Sequence, residues 1–241
     1  MIHIITIHFK NPKWVDLQLK QIDKHISDYK VWTYCDGFDI SSHKHKFHFC
    51  ENFKQSKSVS KVEHKNHMAK LNSLTQLVIC DVETHDDDLL IWLDSDSFPI
   101  NNVNDYVPEK MSKYPLIAIN RPENAGDVIP HPSFTSTSVS FWKQHKLNWN
   151  GISGWGEPGT WDPGGELYMY LKNKNIEWYK LMRTRSLREH PVWFTIYDDL
   201  IYHHGAGSRQ RSCRYDNKNS IKNEYDEGQI FEMISEENFF G

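Results

Sequence analysis

The sequence predicts an α/β fold, with a mostly parallel central sheet flanked by helices in a single domain. Two observations carry that expectation. First, β-branched apolar runs alternate with stretches of helical period through residues 1–100, in the order strand, helix, strand, strand, helix, strand. Crossover connections between parallel strands impose this alternation. Second, the chain has 241 residues, of which 38% are hydrophobic and 13% aromatic. That supplies a packed core and suits an undivided α/β domain.

IHIITIHF (2–9) is β-branched and reads as a buried first strand. Asn11-Pro12 then offers a cap followed by Pro at the first helical position, and Val15, Leu19, Ile22 and Ile26 recur at helical spacing. KVWTYCDG (30–37) is a second strand that ends in a Cys-Asp-Gly turn, and KFHFC (46–50) a third. A Lys/Ser-rich loop (52–61) precedes a helix over 62–80 that buries Leu71, Leu74 and Val78. DVETHDDD (81–88) reads as a solvated acidic loop. LLIWL (89–93) is a strand that runs directly into Asp94-Ser95-Asp96.

The second half is less regular. YPLIAIN (114–120) and SFTSTSVSFW (133–142) read as strands, and ELYMYLKNKN (166–175) as a helix. Between them lies a long Gly/Pro/Trp loop, WNGISGWGEPGTWDPGG (149–165), of a kind that usually carries function. YHHGAGSRQR (202–211) is a Gly-rich turn, and an amphipathic helix is expected near QIFEMISEE (229–237).

Several classes are excluded or disfavoured. A formal net charge of -4 and a pI of about 6.4 speak against a general polyanion binder, so no nucleic-acid partner is expected. Cys35, Cys50, Cys80 and Cys213 form no CxxC and read as free thiols of a reducing compartment. The N-terminus has no signal-peptide pattern, and no apolar run approaches the ~20 residues that span a bilayer. A soluble, cytoplasmic protein is the expectation. There is no P-loop, GxSxG or HExxH motif.

The chemistry is concentrated where a buried strand ends in two carboxylates. Ligands of parallel sheets sit beyond the carboxyl ends of the strands. Thr6, His8 and Phe9, then Asp36, then Asp94 to Asp96 all fall at such ends, so they are expected to border one crevice. Mg²⁺ and Mn²⁺ prefer oxygen ligands and keep waters or substrate phosphates in their shell. Two neighbouring carboxylates therefore suit a metal–diphosphate site better than a closed structural one. An Asp-x-Asp can also be a solvated turn or a helix cap. The apolar strand before it and Phe-Pro after it argue for the metal.

Strand-LDSDSF resembles the D-x-D signature of glycosyltransferases with the GT-A fold, and the chain is similar in the same way to glycosyltransferases of large algal viruses. The match covers about residues 2–211. It implies a single GT-A-like domain over 1–241 with a Rossmann-like sheet, a nucleotide-binding half (1–100), an acceptor-binding half (101–215) and a tail (216–241). HKNHMAKLNSLTQLV (64–78) is similar to the helix before the metal motif, which would put His64, Lys65, Asn66 and Asn72 near the donor. The resemblance also implies that the first strand end and Asp36 line the base and ribose pocket. YHHGAGSR resembles the late His segment that completes the metal shell. Asp94 and Asp96, with His203 or His204, would hold Mn²⁺ or Mg²⁺. His204 is favoured because Gly205 lets the backbone approach the diphosphate. Ser95, Ser208, Arg209 and Arg211 would contact the donor. SFTSTSVSFWK resembles a strand that often reads F-N-S-G-V in this group, although the Asn and Gly are replaced here.

The implied reaction moves a sugar from a nucleoside-diphosphate sugar, a UDP-sugar on the family's precedent, to a hydroxyl of a glycan or glycoconjugate. Trp155, Trp161 and Glu166 are the expected acceptor contacts, Asp162 the first candidate base and Glu157 the second. Three rivals stand beside this reading, one of them a metal-dependent phosphohydrolase, which would need more ligands near the first strand, where there is no DxD or HxD. A sugar nucleotidylyltransferase would show a Gly-rich loop after the first strand, where HFKNPKW has no Gly. A non-catalytic carbohydrate-binding module would use the Trp residues and no nucleotide.

Overall fold

The computed structural model describes residues 1–9, 11–53, 60–124, 126–152, 163–187, 192–205, 227–236 and 240; the side chains of 53, 60–66 and 227–230 lie outside that description. The first half is β1 (Ile2–Phe9), α1 (Lys13–His25), β2 (Tyr29–Asp36), a 3₁₀ turn (Ser41–Lys46), β3 (Phe49–Phe53), α2 (Ser60–Cys80) and β4 (Leu89–Asp94). The second half is β5 (Ser97–Pro99), α3 (Val103–Met111), β6 (Leu116–Ile119), β7 (His131–Ser138), α4 (Val139–Gln144), α5 (Gly165–Asn173), β8 (Tyr179–Leu181), β9 (Arg183–Ser186), β10 (Thr195–Tyr197), β11 (Ile201–His203) and α6 (Glu227–Ser235).

The expected α/β fold is the one observed. A 7-stranded sheet has the order β3-β2-β1-β4-β7-β6-β8. β3, β2, β1 and β4 are mutually parallel; β7 alone runs against its neighbours, and β6 pairs parallel with β8. Because β2, β1 and β4 are adjacent and parallel, the ends of all three lie on one edge. Two antiparallel steps bring β6 back to the same direction, so the loop from Asn120 to Pro130 crosses that edge too.

Alternate residues of each strand feed two apolar layers. On one face Ile4, Ile91 and Leu93 pack with Val15, Leu19 and Ile22 of α1 and Val103 and Val107 of α3. On the other, Ile5, Trp32 and Trp92 pack with Leu71, Leu74 and Val78 of α2 and Leu167 and Leu171 of α5. Trp92, Trp142 and Trp149 cluster within this second layer, with Trp92 4.4 Å from Trp142 in a tilted contact and 5.2 Å from Trp149 edge to face, between ring centres. A second, 4-stranded sheet, β5-β11-β10-β9, was not expected from the sequence. Its apolar residues Phe98, Phe194, Ile196 and Tyr202 join Trp14 and Leu17 of α1 and Ile234 of α6 in a third cluster.

Three local expectations are corrected. The third strand is Phe49–Phe53 rather than 46–50, because the 3₁₀ turn occupies Ser41–Lys46. The strand expected over 133–142 stops at Ser138, whose hydroxyl accepts the Phe141 N–H at 3.1 Å and caps α4. In the acidic loop Asp88 is buried, accepting the His85 N–H at 2.8 Å and lying 3.1 Å from the His3 ring.

Gly164 starts α5 with a φ of +97°, and a Cβ added there would lie 2.3 Å from the Pro130 carbonyl oxygen. Pro130 directly precedes β7, so this contact packs the start of α5 against the strand's entrance. Gly164→Ala combines positive-φ strain with a backbone clash and is expected to cost about 3 kcal/mol. That corresponds to roughly 6–12 °C in Tm for a chain of this size. A thermal unfolding scan that finds the variant unchanged would overturn this account of the turn.

Candidate metal centre

Asp94 is the last residue of β4, and Asp96 the last before β5. The turn that carries them is pinned from below. Gln18 of α1 donates from Nε2 to the carbonyls of both Asp94 and Ser97 at 2.7 Å. Its Oε1 accepts the Thr6 hydroxyl at 3.1 Å. Thr6, expected to meet the donor, is fully buried and orients Gln18 instead. An inward-facing β-branched residue cannot also reach the edge.

β5 continues from the turn and pairs antiparallel with β11, with Ser97 opposite His203. This register delivers an imidazole beside the aspartates. His203 Nε2 is 3.8 Å from Asp96 Oδ1 and 4.0 Å from Asp94 Oδ2. These separations are too long for hydrogen bonds. Ligand atoms of Asp94, Asp96 and His203 all lie within 4.8 Å of one another, so a small inward rotation of these side chains would bring all three onto one cation. Burial pushes the His203 pKa below its ordinary value against the pull of Asp96 and Asp94. A neutral imidazole is the form that binds a metal.

The preference for His204 over His203 is corrected. The backbone alternates here, so His204 turns to the other face of β11. Its N–H donates to the Asp96 carbonyl at 3.0 Å, but its ring is buried against Trp14 and Phe194, with Nδ1 2.9 Å from the Tyr202 hydroxyl. Gly205 has a φ of +74°, and a Cβ would meet Trp193 at 2.7 Å, so its local role is to let that indole pack.

Two more imidazoles approach Asp94. His67 of α2 has Nε2 3.7 Å from Oδ1, and His131 of β7 has Nδ1 3.9 Å from Oδ2. The Ser133 N–H donates to His131 Nδ1 at 3.1 Å, which places the proton of a neutral ring on Nε2. Neither residue was singled out from the sequence. His67 could have been, since the buried stripe Leu71, Leu74, Val78 extended back one turn falls on it. His131 had no local signal.

Asp36 sits at the same edge, in register with Phe9. Lys70 of α2 donates to its Oδ2 at 2.6 Å, while its Oδ1 is buried with no partner among the described residues. His8 is fully buried, and neither of its ring nitrogens has a partner among the described residues. It points to the α1 face, opposite Asp36. Ser95 is buried within the turn.

Other expected contacts are drawn into structural ties. Asn72 accepts the Trp149 N–H at 2.8 Å and donates to Asn150 at 3.1 Å, and Asn150 donates to Glu166 at 3.1 Å. This chain joins α2 to α5. The Lys65 and Asn66 side chains, and Trp155, Glu157, Trp161, Asp162, Ser208 and Arg209, lie outside the described residues. Cys35, Cys50 and Cys80 are free thiols. No described helix is long and apolar enough to cross a membrane.

No protein-family model matches the chain, and no curated protein matches it in sequence. Among solved structures it is similar to the crystal structure of the glycosyltransferase GlyE of Streptococcus pneumoniae TIGR4. Identity is 10% and the TM-score 0.39, over 74% of this chain and 44% of that one. The chain thus spans less than half of GlyE's length, and at this level of similarity the match adds nothing to the chemistry above.

Proposed function

We propose that the protein is a metal-dependent glycosyltransferase that moves a sugar from a nucleoside-diphosphate sugar to a hydroxyl of a glycan or glycoconjugate. The observation that carries this reading is the Asp94, Asp96 and His203 cluster at the carboxyl edge of the sheet. Its donor set, two carboxylates and one neutral imidazole, leaves room in a six-coordinate shell for oxygens of a ligand. The nitrogen donor favours Mn²⁺ over Mg²⁺. A bound divalent cation would supply charge neutralisation at the departing diphosphate.

The chain's own residues have distinct tasks in this reading. Asp94, Asp96 and His203 hold the cation, and Gln18 fixes the turn that aims the two carboxylates. Asp36 offers its Oδ1, which has no partner among the described residues, to an N–H or hydroxyl of the nucleoside, with Lys70 fixing the carboxylate. A uridine nucleotide is the preferred donor on the family resemblance. Trp155, Trp161 and Glu166 remain the proposed acceptor contacts, with Asp162 and then Glu157 as the base if configuration is inverted.

The test is a panel of UDP- and GDP-sugars incubated with the protein and Mn²⁺, with release of the nucleoside diphosphate as readout. Metal-dependent release from one donor, accelerated by a glycan acceptor, is the expected result. Folded protein that binds neither nucleotide in the presence of Mn²⁺ would sink the proposal. Binding of free sugars alone would point to a carbohydrate-binding module.

A further inference from the structure

The loop between β6 and β7 contributes a cation that the sequence pattern did not reveal. β6 ends at the ligand edge, and its last residue, Ile119, pairs with His131, whose ring lies 3.9 Å from Asp94. Arg121 stands two residues further on. Its Nη2 donates to Asp127 Oδ2 at 3.0 Å, and Asp127 Oδ1 accepts the Ile129 N–H at 3.2 Å. The loop is therefore closed around the arginine. The two side chains are only 12% and 6% exposed. Arg121 Nε is buried with no partner among the described residues.

A guanidinium stays charged under any physiological condition, and its planar fork suits phosphate oxygens. Two aspartates and a divalent cation sum to zero charge. A diphosphate ester added there brings further negative charge that the cation no longer offsets. Among the described residues, Lys70 answers Asp36 further along the edge. Arg121 is held by Asp127 through Nη2, and its buried Nε–H has no partner among the described residues.

We infer that Arg121, oriented by Asp127, is a positioning residue for the diphosphate of the donor, acting beside the Asp94, Asp96 and His203 centre. This rests on the transferase reading and adds to it a specific anion contact from the β6–β7 loop. Arg121 would discriminate a nucleoside diphosphate from the corresponding monophosphate by answering the extra negative charge that the second phosphate brings.

Calorimetric titration of UDP, UMP, GDP and GMP in the presence of Mn²⁺ tests it, on the wild-type chain and on Arg121→Ala and Arg121→Lys. Arg121→Ala is expected to weaken diphosphate binding about 10- to 100-fold, the range for losing a charge-assisted contact. Monophosphate affinity and Mn²⁺ binding alone, read by electron paramagnetic resonance, should stay within about threefold of wild type. Arg121→Lys should recover part of the loss, since it keeps the charge without the fork. Equal diphosphate affinity in wild type and Arg121→Ala overturns the inference while leaving the transferase reading intact. An equal loss for mono- and diphosphates overturns it as well, and assigns Arg121 a structural role. Wild-type protein that binds Mn²⁺ but no nucleotide overturns the transferase reading itself.

Discussion

Asp96→Ala is expected to abolish Mn²⁺-dependent binding of a nucleoside diphosphate, with affinity falling by more than about 100-fold. Loss of an outer-shell partner alone costs 10- to 100-fold in metal affinity, and Asp96 offers a ligand atom directly. The fold should survive. Alanine keeps the Asp96 carbonyl, which accepts the His204 N–H at 3.0 Å and ties the turn to β11. Asp96→Asn, similar in shape but neutral, should bind almost as poorly, which separates loss of charge from loss of packing. Titration with and without metal, beside a thermal unfolding scan, reads both effects. Metal-dependent binding that persists in Asp96→Ala would remove this cluster from the site. His204→Ala supplies a contrast: its ring lies against Trp14 and Phe194, so it should lose stability before it loses metal affinity.

The second large effect is on stability in acid, through His8. Desolvation pushes its pKa from 6.5 down to about 3, and the nearby His43 acts in the same direction. As pH falls through 6.5, the unfolded chain takes up a proton on this imidazole, while the folded chain stays neutral until about pH 3. Acid therefore favours unfolding. The stability tied to neutral His8 is complete above pH 6.5 and is lost progressively toward pH 3. The slope is about 1.4 kcal/mol per pH unit, or at most about 5 kcal/mol across the window.

His8→Leu should flatten that dependence. It also removes two buried nitrogens that have no partner among the described residues, so the variant should be at least as stable as wild type at pH 7. Denaturant unfolding of both proteins between pH 7 and pH 4.5 measures the difference, and the other histidines cancel in it. Parallel curves for the two proteins would show that His8 is solvated or paired in solution.

How far the sequence could be read follows from the range of the forces involved. β1, α1, β2 and β4 were legible because each carries its own period: β-branched runs for the strands, and Val15, Leu19 and Ile22 at helical spacing for α1. The Asp-x-Asp was legible for the same reason, since a strand of four buried residues, Leu90 to Leu93, ending in two carboxylates is a local pattern. The second sheet was not. Its strands β5, β10 and β11 span three residues each, too short to show a period. The helix after Ser138 was hidden because Thr135, Ser136 and Thr137 carry the strand signal up to the cap.

The sequence by itself determined the α/β fold, the strand ends that share an edge, and the pair of aspartates placed there. Periodicity and turn chemistry act over a few residues, and those features need nothing more. Only the tertiary structure decided which groups meet the aspartates. His203 rather than His204 joins them because β11 pairs with β5 in the register that sets Ser97 against His203, and a one-residue slip would exchange the two rings. Gln18, His67 and His131 come from α1, α2 and β7. Their approach is fixed by strand pairing and helix packing between segments far apart in the chain, which no local pattern encodes.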